Sequence, residues 1–159
     1  MKADLRPQTT LRTATPADVA AIAAIDIAAW KHNYAPFMPL ELIESWLVRI
    51  PYIWRRGLEG KAPHYIVRVA EQAGEMVAFF AAERSRLWTM QVHPEHEEHG
   101  AGRVMFDDAV ERCGPGIFTH VLRENRRACS FFEHRGLRPV AEIKDVYLDM
   151  EVPVLIYGR

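Results

Sequence analysis

Cysteine is nearly missing from these 159 residues: only Cys113 and Cys129 occur. Two thiols whose neighbours, Arg112, Gly114 and Ala128, show no ligand spacing build neither a disulfide framework nor a thiolate metal site, and a reducing cytoplasm is the expected compartment. Long apolar runs are missing too. No stretch approaches the ~18 uncharged apolar residues of a membrane span, and Met1-Lys2-Ala3-Asp4-Leu5-Arg6-Pro7 carries no apolar segment, so neither secretion nor a membrane partner is expected. No sign of charge dominates. With 20 Lys plus Arg against 21 Asp plus Glu and a pI near 6.7, the chain lacks the basic footprint of a nucleic-acid-binding domain. A small anionic ligand held by a local cluster stays compatible with that balance. Repeats, low-complexity tracts and linkers are absent as well, so one domain is expected over residues 1–159, with 1–8 as a flexible N-terminus. A chain of this length buries roughly 70% of its unfolded surface, enough for a core without staples.

What is present is periodicity. A short strand around Thr10 to Thr13 precedes Thr15-Pro16-Ala17-Asp18, a hydroxyl cap with proline at the first helical position and an acid at the third. Val19, Ile22, Ala23, Ala29 and Trp30 then recur at helical spacing and form a core stripe. Asp26 falls on that stripe, where an unpartnered charge is costly. Either it reaches solvent or a backbone amide at the stripe's edge, or it points into a substrate cavity. A second helix is expected from Pro39 through Ile43, Trp46, Leu47 and Ile50, stopping before Pro51. The connection Lys31-His32-Asn33-Tyr34-Ala35-Pro36-Phe37 between the two helices is rich in aromatic and polar groups and either lines a pocket or contributes Trp30, Tyr34 and Phe37 as satellite core.

From His64 the period becomes extended. Tyr65–Ala70 and Met76–Ala82 read as a hairpin about Gln72-Ala73-Gly74-Glu75, and Leu87–Val92 as a third strand. A loop closed by Gly100-Ala101-Gly102 leads into a helix carrying Met105, Phe106, Ala109 and Val110, which Gly114-Pro115-Gly116 stops. Ile117–Leu122 is another strand, Asn125–Arg135 a helix ended by Gly136, and two strands near 139–143 and 146–152 complete the pattern. Hairpins mixed with strand-helix-strand crossovers imply a mixed sheet with helices on both faces.

Two segments carry chemistry. In Val92-His93-Pro94-Glu95-His96-Glu97-Glu98-His99-Gly100-Ala101-Gly102-Arg103 a strand runs through a glycine loop into a helix N-terminus, where free N–H groups and the dipole form an anion site. Alone, G-x-G before a helix is equally a plain cap. The second segment is Asn125-Arg126-Arg127-Ala128-Cys129-Ser130-Phe131-Phe132-Glu133-His134-Arg135-Gly136-Leu137. Together they resemble the V-x-P-x-x-Q/R-x-x-G-x-G/A and N-x-x-A-x-x-F-Y-x-x-x-G-F motifs of the GNAT superfamily of acyl-CoA-dependent N-acyltransferases. Their separation and the element order along nearly the whole chain fit as well.

The resemblance implies an α/β (α+β) fold: a mixed, mostly antiparallel sheet with a splayed central parallel strand pair and helices on both faces. It implies acetyl-CoA as cosubstrate, with backbone amides of Glu98, His99, Gly100, Ala101, Gly102 and Arg103 on the pyrophosphate. Met90 and Val92 would pair with pantetheine as if with a strand, facing Asn125, Phe131 and Phe132 across the cleft. The implied reaction is direct acetyl transfer to a primary amine of a small molecule or peptide, with the Met90–Val92 strand polarising the thioester carbonyl.

Three residues depart from the pattern. Glu97 stands where Gln or Arg is usual; its side chain could turn to solvent, with His99 and Arg103 compensating the charge. Phe132 replaces a tyrosine that often protonates the thiolate, and Arg86 replaces a base glutamate. Glu83, His120 and Asp26 are the catalytic candidates for deprotonating the amine, with His32 a further candidate, and Trp30, His32 and Tyr34 are the acceptor-binding candidates. These departures also motivate a degenerate acyl-CoA-binding module without turnover; a third reading is a CoA-independent interaction protein. His93, His96 and His99 do not match H-E-x-x-H, and Pro94 interrupts any helix there, so no metal is expected. Arg123, Arg126, Arg127, Arg135 and Arg138 either meet the adenosine phosphate or form a solvated face. A homodimer is left open.

Overall fold

The computed structural model describes residues 6–60 and 65–159. The onset of extended structure at His64 and the first five residues of the expected flexible N-terminus lie outside the described residues. Strand β1 (Thr9–Thr13) leads to a 3-10 turn (Pro16–Asp18) and helix α1 (Val19–Tyr34). At that junction the Asp18 carboxylate accepts from the Thr15 N–H at 2.7 Å and from both Arg12 Nη atoms at 2.8 Å, which satisfies helix-start donors and ties β1 to α1.

The expected second helix is two helices, α2 (Leu40–Leu47) and α3 (Ile50–Leu58). Pro51 sits in the first turn of α3 and does not end α2. A proline in a first turn lacks an N–H that would have been unpaired anyway, so it starts a helix as readily as it stops one. This correction brings Trp54 onto a helix and buries it.

Strands β2 (Ile66–Gln72), β3 (Glu75–Glu83) and β4 (Arg86–Val92) form an antiparallel meander. Ala73 and Gly74 both hold positive φ in the expected two-residue hairpin. Helix α4 (Ala101–Cys113), β5 (Phe118–Leu122), α5 (Arg126–His134), β6 (Arg138–Tyr147) and β7 (Met150–Gly158) follow. The last hairpin turns at Leu148–Asp149, both at positive φ, and not near 144–145 as expected. Leucine is a poor left-handed residue, so pairing of β6 with β7 imposes this turn and no local signal announces it.

The strands lie in the order β1-β2-β3-β4-β5-β7-β6, and only β4 and β5 run parallel. One core lies between the sheet and α4 and α5, built on Phe80, Leu87, Met105, Phe106 and Phe132. The other lies under α1, α2 and α3, built on Ile22, Ile43, Ile50, Trp54 and Phe79. Among the described residues no helix is long and apolar enough to cross a membrane.

Candidate active site

The sheet opens between its parallel strands. Pairing of β4 with β5 is confined to Arg86 with Phe118 and Leu87 with Thr119. On its other side β4 pairs Leu87 with Ala82 and Thr89 with Ala81, leaving Trp88 as an extra residue. Such a bulge bends a strand and increases its twist, and β4 leaves β5 at that point. The N–H of His93 donates to Val77 on β3 at 2.8 Å. Amides two residues apart point the same way, so Gln91 turns its N–H to β3 whereas Met90 and Val92 turn theirs into the gap.

A cavity of about 920 Å³ passes through this gap and is lined from both faces of the sheet. On the α4 and α5 side it meets Met90, Val92, Glu98, Gly100, Gly102, Arg103, Asn125, Phe131 and Phe132, which the two motif segments and the β4 strand bring together. Gly100, at φ 90°, caps α4, and the first amides of that helix have no acceptor within it. A Cβ on Gly102 would lie 3.4 Å from Phe131 and 3.6 Å from Val92, so glycine keeps α4 close to α5 and β4. His99 and Ala101 belong to the loop without lining the cavity: His99 is exposed, its carbonyl held by Gln72 Nε2 at 3.2 Å, and Ala101 is core.

Glu97 does not turn to solvent. Only 18% of its side chain is exposed; it forms an ion pair with Arg127 on α5, and His32 Nε2 lies 3.7 Å away. Arg127, and neither His99 nor Arg103, therefore neutralises the carboxylate beside the loop. His32, held by the same contact, is exposed and does not line the cavity. The other arginines divide. Arg135 lines the cavity with its guanidinium 5.3 Å from the Phe131 ring, Arg123 pairs with Glu142 at 2.9 Å, and Arg138 donates to the Glu133 and Leu137 carbonyls.

The α1 to α3 side is aromatic. Trp30, Trp46, Trp54 and Trp88, all four tryptophans of the chain, line it together with Tyr34, Tyr65 and Tyr147. Asp26, 7% exposed, lies among them. Its Oδ2 accepts from Trp54 Nε1 at 2.8 Å, and the Gln91 side chain donates to it from β4. Among the described residues it has no cationic partner. Burial pushes its pKa up to about 6, against the smaller opposing effect of these two hydrogen bonds. Asp26 is thus neither at the stripe's edge nor on a backbone amide.

The remaining base candidates separate. Glu83 stands at the β3–β4 turn and does not line the cavity. His120 lines it, with Nδ1 3.4 Å from Arg86 Nη2. A guanidinium only donates, so Nδ1 accepts and the neutral ring carries its proton on Nε2. Burial and the Arg86 charge both lower the His120 pKa. Arg86 itself stacks 3.3 Å from the centroid of Trp88 and does not face the cavity. Phe132 is buried against Phe106, Phe131 and Tyr157, and the Tyr157 hydroxyl is spent on Glu133 at 2.7 Å. Tyr34, by contrast, lines the cavity and is hydrogen-bonded by the Asn125 side chain. That hydrogen bond opposes the rise of the Tyr34 pKa caused by burial, the effect of an amide N–H donating to the phenolic oxygen, which leaves the Tyr34 proton free.

Trp54, Gln91 and Tyr147 complete the site and escaped sequence reasoning. Trp54 follows Ile50 by four residues, a helical signal hidden by reading Pro51 as a stop; the other two carry no local mark. Arg127, expected on the adenosine phosphate or on a solvated face, lines the cavity paired with Glu97. No described cluster of three or more His, Cys, Asp or Glu side chains is arranged to hold a metal.

The profile of the acetyltransferase (GNAT) family matches residues 25–137. No curated protein matches the chain by sequence. Among solved structures, a GCN5-related N-acetyltransferase from Rhodopseudomonas palustris is 19% identical with TM-score 0.80, the match covering 100% of this chain and 98% of that one. The PaiA N-acetyltransferase of Thermoplasma acidophilum, solved in complex with coenzyme A, is 16% identical with TM-score 0.75 over 96% and 99% of the two chains. YncA of Salmonella typhimurium, solved with acetyl-CoA, is 21% identical with TM-score 0.63 over 95% and 92%.

Proposed function

We propose, from the premise that the chain belongs to the acetyltransferase (GNAT) family, that it is a single N-acetyltransferase domain moving an acetyl group from acetyl-CoA directly to a primary amine. One observation carries the reading: the cavity crosses the sheet at the β4/β5 gap, with an anion-binding helix start on one side and a buried carboxylate on the other. Bound coenzyme A in PaiA and acetyl-CoA in YncA support the choice of donor.

The amides of Gly102 and Arg103 at the start of α4 hold the pyrophosphate, and Arg103 adds a charge beside them. Pantetheine lies in the gap and takes up the free edge of β4. The Met90 N–H then points at the thioester oxygen and stabilises the charge that develops there. Asp26 receives a proton from the ammonium, since Glu83 is remote and the His120 Nδ1 is occupied. The freed amine attacks the carbonyl carbon, the new C–N bond forms as C–S breaks, and the sulfur leaves as thiolate. Tyr34, whose proton burial holds in place, donates a hydrogen bond to that thiolate where Phe132 offers none. The acylated nitrogen gives up its second proton, which the thiolate takes up to leave as the thiol, and Asp26 returns its own to water.

Nothing in the geometry favours a module without turnover. Glu97 is neutralised, Tyr34 replaces the missing hydroxyl, and Asp26 replaces the missing base. Calorimetry with acetyl-CoA, followed by thiol release over an amine panel, tests the proposal. Saturable binding with turnover lost in a Gly102→Val variant is expected; no binding up to millimolar acetyl-CoA refutes it.

A further inference from the structure

The α1 to α3 half of the cavity holds one buried charge, Asp26. Asp26 has surrendered nearly all its water, yet its only described partners are two neutral donors, Trp54 Nε1 and the Gln91 side chain. A carboxylate offers about four acceptor positions, so capacity remains. A buried ion without a counter-ion is expensive to keep unless a ligand supplies one. The surrounding walls fit that ligand. Trp30 lies 4.3 Å from Tyr34 and 5.7 Å from Trp46, centroid to centroid, and such ring faces attract cations as well as apolar surface. Most of the arginines lining the cavity belong to the donor half: Arg103 follows the glycine loop, Arg6 lies against Gly100, and Arg127 and Arg135 stand on or just beyond α5. Arg56 on α3 is exposed, in water that screens its charge, and donates to the Tyr52 hydroxyl at 3.1 Å. An anion close to the substrate amine would therefore meet Asp26 first.

We infer that the acceptor is a primary ammonium on an aromatic or flat apolar body, with no carboxylate on the amine-bearing carbon, seated on Asp26 among Trp30, Trp46 and Trp54. The inference rests on the acetyltransferase reading and names its substrate class. Gln91 bonds Asp26 and lies between Met90 and Val92, so an ammonium on this carboxylate waits beside the strand that would hold the thioester.

All four tryptophans line the cavity, so ligand binding is read by their fluorescence in the full chain, with and without saturating coenzyme A. Four probes separate the contributions: phenethylamine, 2-phenylethanol without the charge, ethylamine without the ring, and phenylalanine with a carboxylate beside the amine. Phenethylamine is expected to bind at least about tenfold more tightly than each of the others. In Asp26→Asn its advantage over 2-phenylethanol should vanish while acetyl-CoA affinity stays unchanged. Equal binding of phenylalanine or ethylamine overturns the inference, as does an undiminished advantage in the variant. The wild-type comparison decides alone if the variant does not fold. Loss of acetyl-CoA binding in the wild-type chain, in contrast, sinks the acetyltransferase reading and leaves the amine-binding result to stand separately.

Discussion

Replacing Asp26 by asparagine should stabilise this protein while removing its activity. The carboxylate sits 7% exposed, and burial lifts its pKa from 3.8 to about 6. At 1.36 kcal/mol for each tenfold change in proton affinity, ionising it in the fold costs about 3 kcal/mol more than in the unfolded chain. The sign follows from the raised value: this stability is complete below pH 3.8, lost as pH rises, and gone above about 6. Asparagine keeps an oxygen for the Trp54 Nε1 bond and never ionises. At pH 8 the variant should melt about 6–12 °C above wild type, taking 2–4 °C per kcal/mol for a chain of this size. Near pH 4 the two curves should nearly coincide. Turnover in the variant should fall by about 10²–10⁴. Thermal melts at pH 4 and pH 8 with a thiol-release assay check this. A variant less stable than wild type at pH 8, or an equal shift at both pH values, would falsify the reading of Asp26 as a buried, uncompensated carboxylate.

Other outcomes follow from the donor half and its neighbours. Arg127→Ala should weaken acetyl-CoA binding about tenfold by exposing the pyrophosphate loop to an unneutralised Glu97, and Glu97→Gln in the same chain should recover most of it; calorimetry on the double-mutant cycle measures the coupling. Gly100→Ala, forced to φ 90°, should cost about 1 kcal/mol of stability and weaken acetyl-CoA binding without changing the amine probes' affinity. Tyr34→Phe should lower kcat at unchanged acetyl-CoA affinity, and the effect should shrink for thioesters whose thiols are more acidic. Arg86→Gln should raise the His120 pKa toward 6.5, because one of its two lowering influences, the Arg86 charge, is removed; NMR titration of the imidazole reads this, and an unmoved value refutes the Arg86 contact.

The donor half was legible because it is local. Val92 to Arg103 and Asn125 to Leu137 each hold their functional groups within one strand-loop-helix or one helix, where glycine positions and caps set backbone geometry directly. Asp26 could be flagged as a charge on an apolar stripe, but the stripe shows only that it is inward, and not what it meets. Trp54 and Gln91 are 28 and 65 positions away in the chain, and they reach Asp26 because α3 folds onto α1 and β4 leaves β5 at the Trp88 bulge. Glu97 looked like a blemish in a motif until α5 placed Arg127 on it.

Periodicity, caps and glycines thus determined most of the element order, the mixed sheet and the glycine-capped helix start with its free amides, since each depends on residues within a few positions of one another. The proposed acceptor site was decided only by tertiary packing. Its aromatic walls, its buried carboxylate and the proton state of His120 come from side chains on different elements, and no spacing along the chain encodes the environment that sets a buried group's pKa.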